Sequence, residues 1–106
     1  MKNTKNTFNI LDYIPKGKKN AISNRELQTL LHIDRRDIQR FIRAARLKGV
    51  IICGFGGKNG GYFIPETFEE IIEYVRTAKR TIISIIEALE PAEAYIAKGG
   101  TSNEFI

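Results

Sequence analysis

Two helix signatures separated by only a few residues constrain the fold of this 106-residue chain more than any other feature. The first begins at Ser23, and Glu26 lies three residues later, which is the spacing of a capping box. The second is capped by Asp34 and ends at Gly49, a residue suited to the left-handed conformation that stops a helix. Helices with so short a connection must cross steeply and pack directly, so the segment predicts a helix-turn-helix.

The second helix presents two different sides. At 100° per residue, four apolar side chains fall together on one side, and four polar side chains fall on the opposite side. The only acids, Asp34 and Asp37, lie in the first turn, where the helix dipole favours negative charge. Arginine can pair with guanine and glutamine with adenine in the major groove, so the polar side predicts a DNA recognition helix. The apolar side comprises Ile38, Phe41, Ile42 and Ala45, and the polar side comprises Arg36, Gln39, Arg40 and Arg43.

Further basic residues around this helix are candidates for contacts to DNA phosphates. Some flank its polar side, and others precede it in the chain, including two in a basic loop at residues 16–20. A solvated turn is the alternative interpretation of that loop. The candidates are Arg35, Arg46 and Lys48 beside the polar side, Arg25 on the first helix, and Lys18 and Lys19 in the loop. Such contacts would position the protein on the duplex without reading its sequence.

A glycine-rich hairpin is predicted after the second helix. Residues 50–53 are apolar and mostly β-branched, which is typical of a strand, and residues 62–64 form the matching strand. Five glycines lie among the eight residues between them, with Lys58 and Asn59 at the tip, which could enter a minor groove or be the main reader. A very short strand is also expected at residues 20–23. Because the glycine-rich loop joins strand to strand rather than strand to helix, we exclude a nucleotide site.

The remaining segments predict helices at both ends of the chain. A short first helix is expected over residues 7–14. Thr67 and Glu70 have capping-box spacing and open a long helix that is expected to end near Glu90, before Pro91. Its apolar residues repeat every seven positions, which favours self-association over packing of the whole helix on its own DNA-binding domain. The residues expected to form a homodimer contact are Val75, Ile82, Ile85, Ile86 and Leu89.

Three stretches between residues 21 and 65 carry a family resemblance. They are RELQTLL from Arg25, DRRDIQRFIRAARLKGV from Asp34, and GGYFI from Gly60. In these stretches the chain resembles the N-terminal DNA-binding domain of biotin-operon-repressor type proteins. The resemblance implies a winged helix, with the hairpin as the wing, and binding to double-stranded DNA. Small bacterial, phage and plasmid proteins often carry such a domain alone, and no ligase or other effector domain is expected after it.

Together these features predict the fold class and the domains. We expect a mainly α chain with a small β-hairpin (α+β), arranged as a winged helix-turn-helix followed by a long C-terminal helix. The DNA-binding domain is expected over residues 7–65, and the C-terminal helix, as the dimerisation element, over residues 66–98. Residues 1–65 carry 13 Lys and Arg against 4 Asp and Glu, whereas residues 66–106 carry 4 against 8. The basic N-terminal part suits a polyanionic partner.

The chemistry-bearing residues do not suggest an enzyme. His32 is the only histidine and Cys53 the only cysteine, so they cannot supply the four ligands of a structural zinc site or form an intrachain disulfide. No catalytic residue, metal or other cofactor is therefore expected. No segment has the apolar length that a signal peptide or a membrane span needs, so we expect a cytoplasmic protein without membrane partners.

The resulting hypothesis is a homodimeric protein that acts by occupying a site on double-stranded DNA. It would be a small transcriptional regulator, or a phage- or plasmid-encoded accessory in replication, partition or conjugative transfer, and the sequence does not separate these roles. The alternative is a winged-helix module that docks on an acidic protein, for example at a DNA-processing complex, without binding DNA. RNA is less favoured because no strand pair carries a set of aromatic residues for stacking bases.

Overall fold

The computed structural model describes residues 9–57 and 60–99. It is mainly helical, with a two-stranded antiparallel hairpin and a long C-terminal helix, so the predicted α+β class is confirmed. The hairpin follows two closely connected helices directly, which is the element order of a winged helix-turn-helix. The main elements are α1 (Asn24–Leu31), α2 (Arg35–Leu47), β1 (Cys53–Phe55), β2 (Gly61–Phe63) and α3 (Phe68–Ala97).

Helix α1 is capped at both ends by local hydrogen bonds. The Glu26 amide donates to Ser23 Oγ at 3.0 Å and the Ser23 amide donates to Glu26 Oε1 at 2.8 Å, so the predicted capping box is confirmed. At the other end His32 takes the left-handed conformation, with φ of 58°, and its amide donates to the Gln28 carbonyl at 2.8 Å. The chain thereby turns into α2 within three residues.

Helix α2 begins and ends where its capping residues predict. Asp34 Oδ1 accepts a hydrogen bond from the Asp37 amide at 2.9 Å, and Gly49 adopts φ of 100° just beyond the helix. The helix packs on α1 through Ile38 and Ile42, which are 0% and 2% exposed. The buried side is therefore fixed by the first helix, and the opposite side is left to the solvent.

One hydrophobic core lies between α1, α2, the N-terminal turn and the hairpin. Phe41, on the apolar side of α2, is 38% exposed and lines a groove beside Ile10–Tyr13 rather than entering this core. Phe41 lies at the edge of the apolar side of α2, where the helix surface no longer faces α1. The core cluster consists of Ile10, Ile14, Leu27, Ile38, Ile42 and Ile52, and Cys53 and Phe63 are also buried.

The β1–β2 hairpin, which we call the wing, is shorter than predicted. Its register places Cys53 opposite Phe63, and residues 50–52 lie outside β1. The predicted strand start at Val50 is wrong because this segment is held by the end of α2, where the Val50 amide donates to the Ala45 carbonyl at 3.1 Å. The second strand begins and ends one residue earlier than expected.

A single bridge attaches the segment before α1 to the wing, where a very short strand is predicted. Ile22 and Tyr62 exchange backbone hydrogen bonds of 2.9 and 2.8 Å. The two segments come so close that the residue before Tyr62 must be glycine. A Cβ on Gly61 would lie 2.7 Å from the Ile22 carbonyl oxygen. The base of the wing is thereby fixed beside the start of α1.

The N-terminal segment is a 3₁₀ turn rather than the predicted helix. The turn spans Ile10–Tyr13, and Ile14 follows it, with both isoleucines buried in the core. Residues 7 and 8 of the predicted helix lie outside the described residues. Pro15 follows at once, and a second short 3₁₀ turn, Lys18–Asn20, occupies the predicted basic loop.

Helix α3 is longer than predicted and continues through Pro91. It contains 30 residues and is about 45 Å long. The expected stop is wrong because proline removes one backbone hydrogen bond and favours a kink, which a long helix can sustain. Half of the second predicted capping box is present, since the Glu70 amide donates to Thr67 Oγ1 at 3.2 Å.

The chain divides into two units within α3. The first, which we call the head, ends at Tyr74, and the second begins at Val75, nine residues after the predicted domain boundary. The boundary lies inside the helix because Glu70 and Glu73 both bond to Lys18 of the head. The first turns of α3, up to Tyr74, therefore belong to the head rather than to the second unit.

The second unit is a largely exposed helix. All its described side chains are exposed except those of Ala78 and Tyr95, which are half-buried. In the part of the chain that the structure describes, no helix combines the length and the apolar character needed to cross a membrane.

Candidate nucleic-acid interface

Helix α2 presents an exposed cationic side, which we call the α2 face. Its members are four arginines and one glutamine, all exposed. Among the described residues only one of these arginines has an ion-pair partner, since the Arg40 guanidinium donates to Asp37 Oδ1 at 2.7 Å. The remaining cations are open to an external ligand. The α2 face consists of Arg35, Arg36, Gln39, Arg40 and Arg43.

The pair between Arg40 and Asp37 is weak enough to exchange for a ligand. The two side chains are 71% and 36% exposed, and they lie three residues apart on one helix. Exposed pairs of this kind contribute about 0–1 kcal/mol to stability. Bidentate hydrogen bonds to a phosphate or to a guanine edge are stronger, so Arg40 remains a candidate contact.

A cleft of about 320 Å³ lies between the first turns of α1 and α2 and the wing. Arg25 lines it from α1 and Arg35 lines it from α2, so two arginines border one cavity. The facing wall is largely wing glycine, which adds no side chain to obstruct a ligand. Guanidinium groups match the geometry of phosphate, and a cleft bordered by two arginines suits a phosphate of the DNA backbone.

Asn24 and Tyr62 line this cleft and are absent from the sequence-based candidates. Tyr62 lies in its wall, and the Tyr62 hydroxyl accepts a hydrogen bond from Asn24 Nδ2 at 3.4 Å. Gln28 Nε2 in turn donates to Asn24 Oδ1 at 2.8 Å. The sequence signal that could have identified them is the short strand predicted at residues 20–23. Its pairing with the wing brings the start of α1, with Asn24, next to Tyr62.

Arg46 is committed to the inside of the fold rather than to a ligand. Its Nε and Nη2 donate to the Ile52 carbonyl at 3.0 and 2.8 Å, and its guanidinium carbon lies 5.7 Å from the centre of the Tyr74 ring. The side chain is half-buried. Arg46 therefore joins α2 to the segment before β1 and to the first turns of α3, and its position does not support the expected phosphate contact.

The two lysines of the N-terminal loop have different environments. Lys18 Nζ lies 3.0 Å from Glu73 Oε2 and 5.1 Å from the centre of the Phe55 ring, so its charge is used within the head. Lys19 is exposed and has no ion-pair partner among the described residues. Of the two, Lys19 is the better candidate for a phosphate contact.

The remaining sequence-based candidates lie at the end of α2, at the wing tip and on α3. Lys48 is the C-cap residue of α2 and is exposed. Lys58 and Asn59 lie outside the described residues, so their role at the wing tip stays a prediction. The residues predicted for dimerisation are all exposed, and they are Val75, Ile82, Ile85, Ile86 and Leu89.

Two ionisable groups have shifted pKa values with structural causes. The Glu70 carboxylate accepts hydrogen bonds from the amides of Glu66 and Lys18, at 2.8 and 3.1 Å, and these bonds lower its pKa below the ordinary value. Burial raises the pKa of the Cys53 thiol above its ordinary value, and the nearby Glu70 charge adds to this shift. Within residues 9–57 and 60–99, no group of three or more His, Cys, Asp and Glu side chains could hold a metal ion.

Comparison of the chain with protein-family models, with curated proteins and with solved structures gave no match. The candidate interface therefore rests on the geometry and charge of the chain itself. The fold brings together the α2 face and Arg25, which meets Arg35 in the cleft. It assigns Lys18 and Arg46 to contacts inside the head.

Proposed function

We propose that this protein binds double-stranded DNA through the α2 face and the adjoining cleft. The observation that carries the proposal is one-sided charge, since Arg35, Arg36 and Arg43 are exposed on one helix and have no ion-pair partner among the described residues. A surface of this kind gains affinity for an anionic polymer through the release of its counterions. The connection of α1 to α2 supports DNA as that polymer, because a helix-turn-helix holds its second helix in the major groove.

The dimensions of α2 fit this mode of binding. Thirteen residues form a helix about 20 Å long, and a major groove about 12 Å wide admits an α-helix. Packing on α1 holds the apolar side of α2, which leaves the α2 face free for the groove. We assign base contacts to Arg36, Gln39, Arg40 and Arg43, and phosphate contacts to Arg25, Arg35, Lys19 and Lys48.

The biological role that follows is occupation of a DNA site. A small transcriptional regulator acts in this way, and so does a phage- or plasmid-encoded accessory in replication, partition or conjugative transfer. The same interface serves each of these roles, so the proposal is made for site-specific binding and not for one of them.

Selection of bound fragments from random double-stranded DNA, performed at two salt concentrations, tests the proposal. We expect an enriched motif and an affinity that falls steeply between about 50 and 200 mM salt. A selection that enriches no motif, with no salt-dependent retention of DNA, would refute the proposal and favour docking of the α2 face on an acidic protein.

A second comparison separates the α2 face from the wing. Combining Arg40→Ala with Arg43→Ala should weaken binding to the selected site, because it removes two of the assigned base contacts. If this variant binds as tightly as the wild type while Lys58→Ala abolishes binding, the wing is the reader.

A further inference from the structure

The C-terminal part of α3 carries an exposed apolar stripe. Ile82 and Ile86 at its centre are 55% and 54% exposed, and Leu89 is 49% exposed. Every residue from 79 to 94 is exposed. A stripe of large apolar residues along a water-exposed helix indicates a surface that a partner covers.

The charges of this part of α3 form two blocks of opposite sign. Six residues, 81–86, separate the blocks, which is too far for the pairing of side chains three or four positions apart on one helix. Among the described residues no ion pair involves either block. Like charges lie side by side within each block, so opposite charge from another molecule would stabilise both. The basic block is Arg76, Lys79 and Arg80, and the acidic block is Glu87, Glu90 and Glu93.

Both blocks lie on the same flank of the apolar stripe. At 100° per residue, and measured from Ile82, Lys79 lies at about 60° and Glu90 at about 80° to the same side. The opposite flank, which includes Thr81 and Ala88, holds no charged residue between positions 75 and 97. The distribution of charge is therefore asymmetric around the stripe, and this restricts how two copies of the helix can pair.

We propose that two copies of this chain associate through α3 in antiparallel orientation, with the two-fold axis near Ser84. In an antiparallel pair the same flank of each helix faces that of its partner, with the direction reversed. The basic block of one copy then faces the acidic block of the other, because the two blocks lie at nearly equal distances from Ser84. In a parallel pair the charged flank would face the uncharged one, and both blocks would lack opposite charge.

The packing of apolar residues supports nearly the same axis. A two-fold axis between Ile83 and Ser84 places Ala78 of one copy opposite Leu89 of the other. Further from the axis it places Val75 opposite Ala92, and isoleucines meet at the centre. Large residues thus face small ones, as close packing requires. None of these residues belongs to the α2 face, so the association is a property separate from DNA binding.

Charge reversal in the full chain tests the orientation. Sedimentation equilibrium of the wild type should give a reversible dimer. Replacing the basic block by glutamate sets acid against acid in an antiparallel pair, so the dimer dissociation constant should rise about 10- to 100-fold. Reversing both blocks in one chain restores opposite charges and should restore association. The substitutions are Arg76→Glu, Lys79→Glu and Arg80→Glu, without or with Glu87→Lys, Glu90→Lys and Glu93→Lys.

The competing arrangements give different results. In a parallel pair each block would face the uncharged flank of the partner in every version of the chain, so reversing one block would leave association nearly unchanged. A wild-type chain that stays monomeric up to about millimolar concentration, where even weak dimers form, would overturn self-association altogether. Arginine, lysine and glutamate have similar helix propensities, so these variants should retain the helix, which circular dichroism checks.

Disulfide trapping provides an independent measure of orientation. Val75→Cys mixed with Ala92→Cys should give a mixed disulfide on mild oxidation, because these positions face each other in the antiparallel pair. Neither variant alone should form a disulfide-linked dimer, since equal positions lie about 25 Å apart, far beyond disulfide reach. The wild type, whose one cysteine, Cys53, is 0% exposed, is the control. A disulfide-linked dimer of Val75→Cys alone would overturn the antiparallel orientation.

Discussion

Arg46 donates two hydrogen bonds to the carbonyl oxygen of Ile52, at 3.0 and 2.8 Å. These bonds join the last turn of α2 to the segment that leads into the wing, and the Tyr74 ring lies beside the guanidinium group. The arginines of α2 are thereby divided into one that stabilises the head and others that are exposed. The division predicts that the same substitution, arginine to alanine, changes the stability of the head by different amounts at the two kinds of position.

Replacing Arg46 by alanine should destabilise the head by about 1.5–3 kcal/mol, because the Ile52 carbonyl loses its charged donors. Replacing Arg43, an exposed arginine of the same helix, should change the free energy of unfolding by less than about 0.5 kcal/mol. Urea denaturation followed by circular dichroism measures both effects. Equal losses of stability in the two variants would contradict the structural role of Arg46.

The lysine pair of the N-terminal loop should show the same contrast. Lys18→Ala should lower the free energy of unfolding by about 0.2–1 kcal/mol, because the pair with Glu73 is exposed to solvent, and it should change DNA affinity little. Lys19→Ala should leave stability unchanged and reduce the slope of log affinity against log salt by about 1. Urea denaturation and fluorescence anisotropy with labelled DNA separate the two effects, and the reverse pattern would move the phosphate contact to Lys18.

The base of the wing depends on the absence of a side chain at Gly61. A Cβ at this position would lie 2.7 Å from the Ile22 carbonyl oxygen, so Gly61→Ala should destabilise the head by about 1–3 kcal/mol. Gly56→Ala is the matched control, because a Cβ there meets no atom within 4 Å. Urea denaturation of the two variants checks the prediction, which fails if Gly56→Ala is the more damaging change.

The Glu70 carboxylate should make the stability of the head depend on pH. Hydrogen bonds from the Glu66 and Lys18 amides lower its pKa from 4.5, so its stabilising effect is complete above that value and is lost as the pH falls through the lowered pKa. Glu70→Ala should therefore lower the Tm at neutral pH, and its difference from the wild type should shrink as the pH falls below 4.5. Glu69→Ala, at an exposed neighbour in the same turn, should leave the Tm at neutral pH nearly unchanged. Thermal unfolding across this range would contradict the account if the Glu70→Ala difference were independent of pH.

Local chemistry determines the parts of the fold that the sequence predicts. The ends of α1 and α2 follow from Ser23, Asp34 and Gly49, whose side chains or backbone act on residues a few positions away. Helix periodicity likewise identifies Arg36, Gln39, Arg40 and Arg43 as exposed residues of α2. These features need no knowledge of the rest of the chain, so capping rules and the 100° repeat are sufficient for them.

The features that the sequence does not predict depend on contacts between distant segments. In the sequence, nothing distinguishes Arg46 from the other basic residues of α2. Only the folded structure shows that its guanidinium group donates to the Ile52 carbonyl. The cleft with Tyr62 depends on the bridge between Ile22 and the wing. Pro91 is a strong local stop signal, yet the helix continues through it, because the cost of one lost hydrogen bond does not by itself decide where a long helix ends.

The central claim is that the α2 face binds double-stranded DNA, and the affinity of the full chain for its selected site at several salt concentrations tests it most directly. For the wild type, log affinity should fall linearly with log salt. Arg40→Ala combined with Arg43→Ala should weaken binding by about 2–4 kcal/mol. Lys16→Ala combined with Lys98→Ala removes the same net charge outside the assigned contacts and should have a much smaller effect. Binding that does not depend on salt, or equal losses of affinity in the two variants, would contradict the account.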